Sequence, residues 1–249
     1  MFSGHRNGHG IHSPFVFKVI SGFFRNKTDL EVVKCIKKLR LEMRNDRRVI
    51  NVNDLGAGSI TGNSYSRKVS DIARCASIPD KYGLILDRMA SDFGYPYAIE
   101  LGTSLGISTL YMALSSPSLE VHTIEGCPEV AGIADENFRK TGVSNVKLHI
   151  GSFDEILPNL IKEKQSPGIV FIDGNHRKEP LNSYFKLVAD NAKNNTVVVI
   201  DDIYLSREMN EAWEDIKKHP KVSVTIDLHR MGIVFFRKGI NANHFVVRY

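Results

Sequence analysis

The stretch IELGTSLGIS, Ile99 to Ser108, decides how this chain is read, because a second glycine turn, NDLGAGS at Asn53 to Ser59, competes with it. A cofactor turn of the doubly wound kind needs a strand before it and a helix after it. It also needs an acidic residue at the end of the next strand, to grip ribose hydroxyls. The Ile99 to Ser108 stretch has all three: YAIEL as the strand, GISTLYMAL as the helix, and VHTIE as the next strand, ending at Glu125. After NDLGAGS no second strand is expected, since SRKVSDIARCAS reads helical. That turn is read as a tight bend after the extended segment INVND, with a Ser, Thr and Asn-rich substrate loop as the other reading.

The turn at Gly102, Thr103, Ser104, Leu105 and Gly106 is not a full dinucleotide fingerprint. A pyrophosphate requires the backbone to come close at the position held here by Ser104, where glycine would be expected. A mononucleoside ligand fits better, and a nicotinamide-dependent oxidoreductase is disfavoured.

Outward from the turn, short β-rich runs alternate with helical ones: YAIEL, EVHTIE, VKLHI, GIVFID and TVVVID, followed by VSVTIDL and GIVFFR. Such alternation predicts a Rossmann-like, doubly wound α/β sheet, mostly parallel, with a ligand at the carboxyl ends of its strands. Only HRMG separates the last two runs, so they are expected to pair as an antiparallel C-terminal hairpin at one sheet edge. Upstream the texture is helical. Ser13 before Pro14 opens one helix, TDLE at Thr28 to Glu31 forms a capping box for a second, and Ser66 to Ala76 and Asp80 to Phe93 supply two more. The expected division is an N-terminal, mainly helical extension over 1–93 and the Rossmann-like domain over 94–249.

The formal charge of +5 is concentrated early: residues 1–50 hold 11 Lys and Arg against 4 Asp and Glu. Much of the excess lies in KCIKKLRLEMRNDRR, Lys34 to Arg48, which reads as a solvated helix face. Without interleaved aromatics or an NPPY-type tetrapeptide, a nucleic-acid partner is not expected. No window is apolar enough for a membrane span and no signal-peptide run opens the chain, so the cytoplasm is the expected location. Cys35, Cys75 and Cys127 lack any CxxC spacing and read as reduced packing residues. His5, His9 and His12 sit in a glycine-rich tail without acidic partners, and Trp213 shares a helical face with Met209 and Ile216. The first set reads as tail, the tryptophan as core.

Taken in order, ELGTSLGIS, TIEG, GSFDEILP, FIDGNH and VIDD resemble the class I AdoMet-dependent methyltransferases. Within them the small-molecule O-methyltransferases of the catechol and caffeoyl-CoA kind are most similar, and the N-terminal HSPFVF resembles a methyltransferase group whose substrate is not known. The likeness covers about Tyr97 to Arg237. It implies S-adenosyl-L-methionine as cofactor and a hydroxyl of a small-molecule acceptor as the methyl recipient. Glu100, Gly102, Thr103, Gly106 and Ser108 then surround the methionine half. Glu125 takes the ribose hydroxyls, and Ser152 with Phe153 brackets the adenine.

Methyl transfer to oxygen requires that the oxyanion be generated and aligned and that water be excluded. Asp173 ends the fourth strand and Asp201 and Asp202 end the fifth, so three carboxylates converge on one crevice and repel one another unless a cation or proton intervenes. The resemblance implies a divalent ion such as Mg at Asp173, Asp201 and Asp202, although its metal-dependent members carry Asn where this chain has Asp202. His176, three positions after Asp173, matches the place of a basic lysine in catechol-type enzymes and suits proton abstraction near neutrality. His176 and Asp173 are therefore the expected catalytic pair, as base or as metal ligands. An AdoMet-fold binding module without turnover, or a nucleic-acid methyltransferase using the basic extension, is the competing class. The oligomeric state is left open, a homo-oligomer included.

Overall fold

The protein is described by a computed structural model covering residues 5–6, 13–25, 29–52, 66–239 and 242–249. In chain order its elements are β1 (His5–Arg6), α1 (Pro14–Arg25), α2 (Leu30–Asn45), β2 (Val49–Asn51), β3 (Ser66–Lys68), α3 (Val69–Cys75) and α4 (Asp80–Phe93). These are followed by β4 (Tyr97–Leu101), α5 (Ile107–Leu114), β5 (Glu120–Glu125), α6 (Pro128–Thr141), β6 (Val146–Ile150), α7 (Phe153–Lys164) and β7 (Ile169–Ile172). The chain ends with α8 (Lys178–Asn191), β8 (Val197–Ile200), α9 (Arg207–Lys217), β9 (Val224–Asp227), β10 (Gly232–Phe235) and β11 (Asn243–Arg248).

Nine of the described strands form one sheet in the order β1-β11-β9-β10-β8-β7-β4-β5-β6, with β4 to β8 mutually parallel and β10 antiparallel to both β8 and β9. This is the expected α/β class, with one correction. The β9–β10 hairpin is not at the edge, because β11 adds parallel to β9 and β1 parallel to β11. The apolar run of β11 is short and its Phe245 to Val247 segment follows a turn, which is why it escapes a reading based on longer strands.

Period-two alternation divides the strand side chains between two cores. Ala98, Val121, Phe171, Val199 and Phe235 face the layer of α1 to α6; Ile99, Ile124, Ile172, Ile200 and Val234 face α7 to α9. Both faces are covered, which explains why these strands read as continuous apolar runs. Trp213 is fully buried beside Met209 and Ile216 in the second core, as its helical spacing implied. The helices before Gly94 are built into the first core: Phe15 and Phe93 both meet Phe235 edge-on, with ring centroids 5.1 and 5.7 Å away.

Local signals explain most of the upstream helices. The Ser13 Oγ accepts from the Val16 N–H, and Pro14 takes the first helical position. At α2 the cap is Asp29, whose carboxylate accepts from the Glu31 N–H at 2.8 Å; Thr28 of the expected capping box lies outside the described residues. The basic face of α2 is solvated apart from Arg40, which is buried against the Ile78 carbonyl at 2.7 Å and Asp80 at 3.0 Å. The segment after the first glycine turn is not wholly helical: β3 pairs antiparallel with β2 before α3 begins. NDLGAGS, His9 and His12 lie outside the described residues. Cys75 is exposed rather than packed, while Cys127 is buried. Among the described residues no helix is long and apolar enough to cross a membrane.

Candidate active site

The sheet changes winding direction beside β4: β5 and β6 follow on one side, β7 and β8 on the other, so a crevice opens at their carboxyl ends. The turn leaving β4 is pressed against the turn leaving β7. Gly102 has φ +103°, and a Cβ built on it would lie 2.1 Å from the Asp173 carbonyl oxygen. No side chain fits there. At the other end of the turn Gly106, with φ +84°, caps α5 where a Cβ would meet the Phe138 ring at 2.6 Å.

The side chains of the turn separate into two sets. Glu100, Thr103 and Ser108 point into the fold. The Glu100 carboxylate is wholly enclosed and accepts from Thr109 Oγ1 at 2.5 Å and Thr123 Oγ1 at 2.6 Å. Its other oxygen, Oε1, is buried without a hydrogen-bond partner. Burial pushes the Glu100 carboxyl up to about 7, against the pull of the Ser108, Thr109 and Thr123 hydroxyls. Thr103 pairs its hydroxyl with Thr123 at 2.5 Å and donates its N–H to the Ile124 carbonyl, which pins the turn to β5. Glu125, by contrast, is half-buried at the end of β5. Its Oε2 accepts from the Ser104 N–H at 2.8 Å and its Oε1 from the Cys127 N–H at 3.0 Å.

After β6 the chain turns at Gly151, and Ser152 caps α7 by accepting from the Asp154 N–H at 3.2 Å. Phe153 packs edge-on to Tyr184, centroids 5.9 Å apart, and directly under Gly174, where a Cβ would come within 2.7 Å of its ring. It therefore supports the same β7 turn that carries Asp173.

The acidic groups do not act as one set. One donor atom each from Asp173, His176 and Asp202 can be drawn within 4.8 Å of the others, and the His176 Nε2 lies 3.7 Å from Asp173 Oδ1. Asp201 is not part of that group. Fully buried, it accepts from Arg230 through Nε at 3.0 Å to each oxygen and through Nη2 at 2.7 Å. The same Arg230 Nε lies 3.3 Å from Asp202 Oδ1. Burial, followed by the neighbouring Asp201 and Asp202, pushes the Asp173 carboxyl well above the usual carboxylate range. Burial also raises Asp201, while Arg230 pulls it back.

The resemblance pointed to Asp173, Asp201 and Asp202 as metal ligands; the structure gathers Asp173 and Asp202 with His176 and commits Asp201 to Arg230. Arg230 was missed because it arrives from the HRMG turn, which reads as a bare hairpin connection. The pairing of Gly232 with Ile200 carries the missing signal: two residues further along the antiparallel ladder, 230 comes level with 202.

Comparison with known proteins agrees with this architecture. A sequence model described as a methyltransferase domain matches residues 99–203. A catechol O-methyltransferase from Niastella koreensis is 31% identical over 130 residues, covering 51% of this chain and 58% of that protein. The chain thus spans about half the length of the curated relatives it matches. Among solved structures, an SAH-bound methyltransferase from Podospora anserina superposes with a TM-score of 0.61 at 14% identity, covering 91% of this chain and 97% of that one. An O-methyltransferase from Bacillus cereus in complex with SAH gives 0.58 at 18% identity, covering 89% and 97%. At these identities the structural likeness establishes the fold alone: the chain folds like these two solved structures.

Proposed function

We propose that the protein is an AdoMet-dependent methyltransferase that transfers a methyl group to a hydroxyl of a small molecule. The observation that carries this reading is Glu125, a carboxylate held by two backbone N–H groups at the end of the strand after the glycine turn. That is the position from which a ribose diol is gripped. The residues fit the cofactor in two further respects. The Glu100 Oε1 is an orphaned acceptor beneath the turn, suited to an ammonium, and Gly102 leaves no side chain between the two turns. Glu125 would take the ribose, the Gly102 to Gly106 turn the methionine half, and Ser152 and Phe153 the adenine side.

Bound there, AdoMet supplies an electrophilic methyl group on a sulfonium. The chain's own part is to make and aim the nucleophile. With Nε2 facing Asp173, which orients the imidazole, His176 would accept the acceptor hydroxyl proton on its other ring nitrogen and leave the oxygen as the nucleophile for the methyl group that a bound AdoMet would supply. Residues 94–249 form the cofactor-binding unit in this reading, and the extension over 1–93 contributes to acceptor choice. Cys35, Cys75 and Cys127 form no disulfide among the described residues, which supports a cytoplasmic setting.

Isothermal titration with AdoMet, its demethylated product and NAD tests the cofactor, and a methyl-transfer screen over hydroxyl-bearing small molecules tests the reaction. Binding of NAD but not AdoMet would overturn the reading.

A further inference from the structure

We propose that the Arg230 guanidinium is the resident cation of the carboxylate cluster, so that the crevice works without a divalent metal ion. The inference depends on the methyl-transfer reading for its chemical purpose, whereas the metal titration below reads the crevice whether or not a methyl group moves.

Three carboxylates at adjacent strand ends need positive charge nearby, and the fold supplies it from its own chain. Both Asp201 oxygens are engaged by the fork of Arg230, a geometry that matches a planar guanidinium to a planar carboxylate. The pair is placed by backbone on both sides. The Ile203 N–H donates to the Arg230 carbonyl at 3.0 Å, and the Arg230 N–H donates to Leu228 at 2.9 Å. Residue 229 turns through φ +68°, with its N–H on Asp227 Oδ1 at 2.7 Å. Tyr82, from α4, lies under the guanidinium with its ring centroid 6.0 Å from Cζ and donates its hydroxyl to Leu228 at 3.3 Å. An arginine fixed this firmly is a built part of the crevice.

Its position is incompatible with a second cation. A divalent ion needs oxygen lone pairs at about 2.0–2.6 Å, and those of Asp201 already face N–H donors. Asp173, His176 and Asp202 could still be drawn around an ion, but Arg230 Nε sits 3.3 Å from Asp202 and would repel it. Without a Lewis acid to acidify the acceptor hydroxyl, deprotonation falls to His176. Arg230 touches none of the reacting atoms in this scheme; it is a positioning residue that fixes Asp201 and the charge of the crevice.

The test is a Mn2+ titration, read by electron paramagnetic resonance, of the wild-type chain, Arg230→Met and Arg230→Lys. The wild type and the lysine variant should take up no Mn2+, because each keeps a positive charge in place. Arg230→Met, which leaves Asp201 and Asp202 uncompensated, should gain the saturable Mn2+ binding that the wild type lacks. Saturable Mn2+ uptake by the wild type, abolished in Asp202→Asn, would overturn the inference; so would uptake by Arg230→Lys. An Arg230→Met variant that keeps the wild-type near-ultraviolet circular dichroism yet gains no Mn2+ would overturn it too. Should Arg230→Met fail to fold, the wild-type and lysine titrations still decide. Failure of AdoMet to bind the wild type would remove the proposed function and leave the metal result standing.

Discussion

The Glu125 carboxylate accepts the Ser104 N–H at 2.8 Å, which ties the end of β5 to the middle of the turn that leaves β4. Ser104 has φ +48°, a conformation in which its N–H is turned toward the neighbouring strand end. The side chain expected to grip the ribose thus also shapes the loop beside the methionine half. In the proposed cofactor site the ribose side and the methionine side would share this one hydrogen bond.

Glu125→Ala should therefore weaken AdoMet by more than a single lost contact. Hydrogen bonds to a charged group contribute roughly 1.5–3 kcal/mol each, so a loss of about ten-fold or more is expected. Glu125→Gln keeps the shape and one acceptor and should fall between. Calorimetric affinities equal to wild type in both variants would remove Glu125 from the site.

Gly102→Ala tests the contact between the two turns. With φ +103° and the Asp173 carbonyl 2.1 Å from the new Cβ, the alanine cannot be accommodated without separating them. Strained backbone alone costs about 1 kcal/mol or more, and the steric term adds to it. Thermal unfolding should show the loss, and AdoMet affinity should fall with it. An alanine variant with unchanged melting temperature and affinity would show that the turns yield freely.

The contrast between Glu125 and Arg230 explains how much of this site was legible in the sequence. Glu125 is announced locally, by a strand, a glycine turn, a helix and a second strand whose periods follow one another along the chain. Glu100, Thr103 and Ser108 belong to the same legible motif, but their burial under the turn depends on where Thr109 and Thr123 lie, which spacing alone does not reveal. Arg230 depends wholly on register. Only the antiparallel pairing of β10 with β8 brings it to Asp201, and a hairpin turn carries no mark of the strand beside it. The same limit hid β11, whose place beside β9 is set by tertiary pairing.

Glu100 predicts a pH dependence of stability. Its carboxyl is raised from an ordinary 4.5 to about 7 by burial. Between those values the folded chain retains a proton that the unfolded chain has released, so this group's contribution to stability is full at low pH and declines as pH rises through the window. Glu100→Gln removes the titration and preserves an acceptor for Thr109 and Thr123. Relative to wild type, the variant should gain stability from pH 5 to pH 8, by on the order of 2 kcal/mol. Urea unfolding of both proteins at the two pH values checks this, and parallel curves would place the Glu100 charge elsewhere.

In the proposed mechanism His176 serves proton transfer and not cofactor binding. Its Nε2 stands 3.7 Å from Asp173 Oδ1, beyond a hydrogen bond but close enough for the carboxyl to steer the ring once an acceptor is present. Nothing places the imidazole on the Glu125 side of the crevice. His176→Gln should consequently lower kcat by about 100-fold or more while AdoMet affinity stays at the wild-type value. Asp173→Asn should slow the reaction less, because the base remains and only its orientation suffers. Equal rates in wild type and His176→Gln on a turned-over acceptor would move the proton to another group. Loss of AdoMet binding in His176→Gln would instead make the histidine part of the cofactor site.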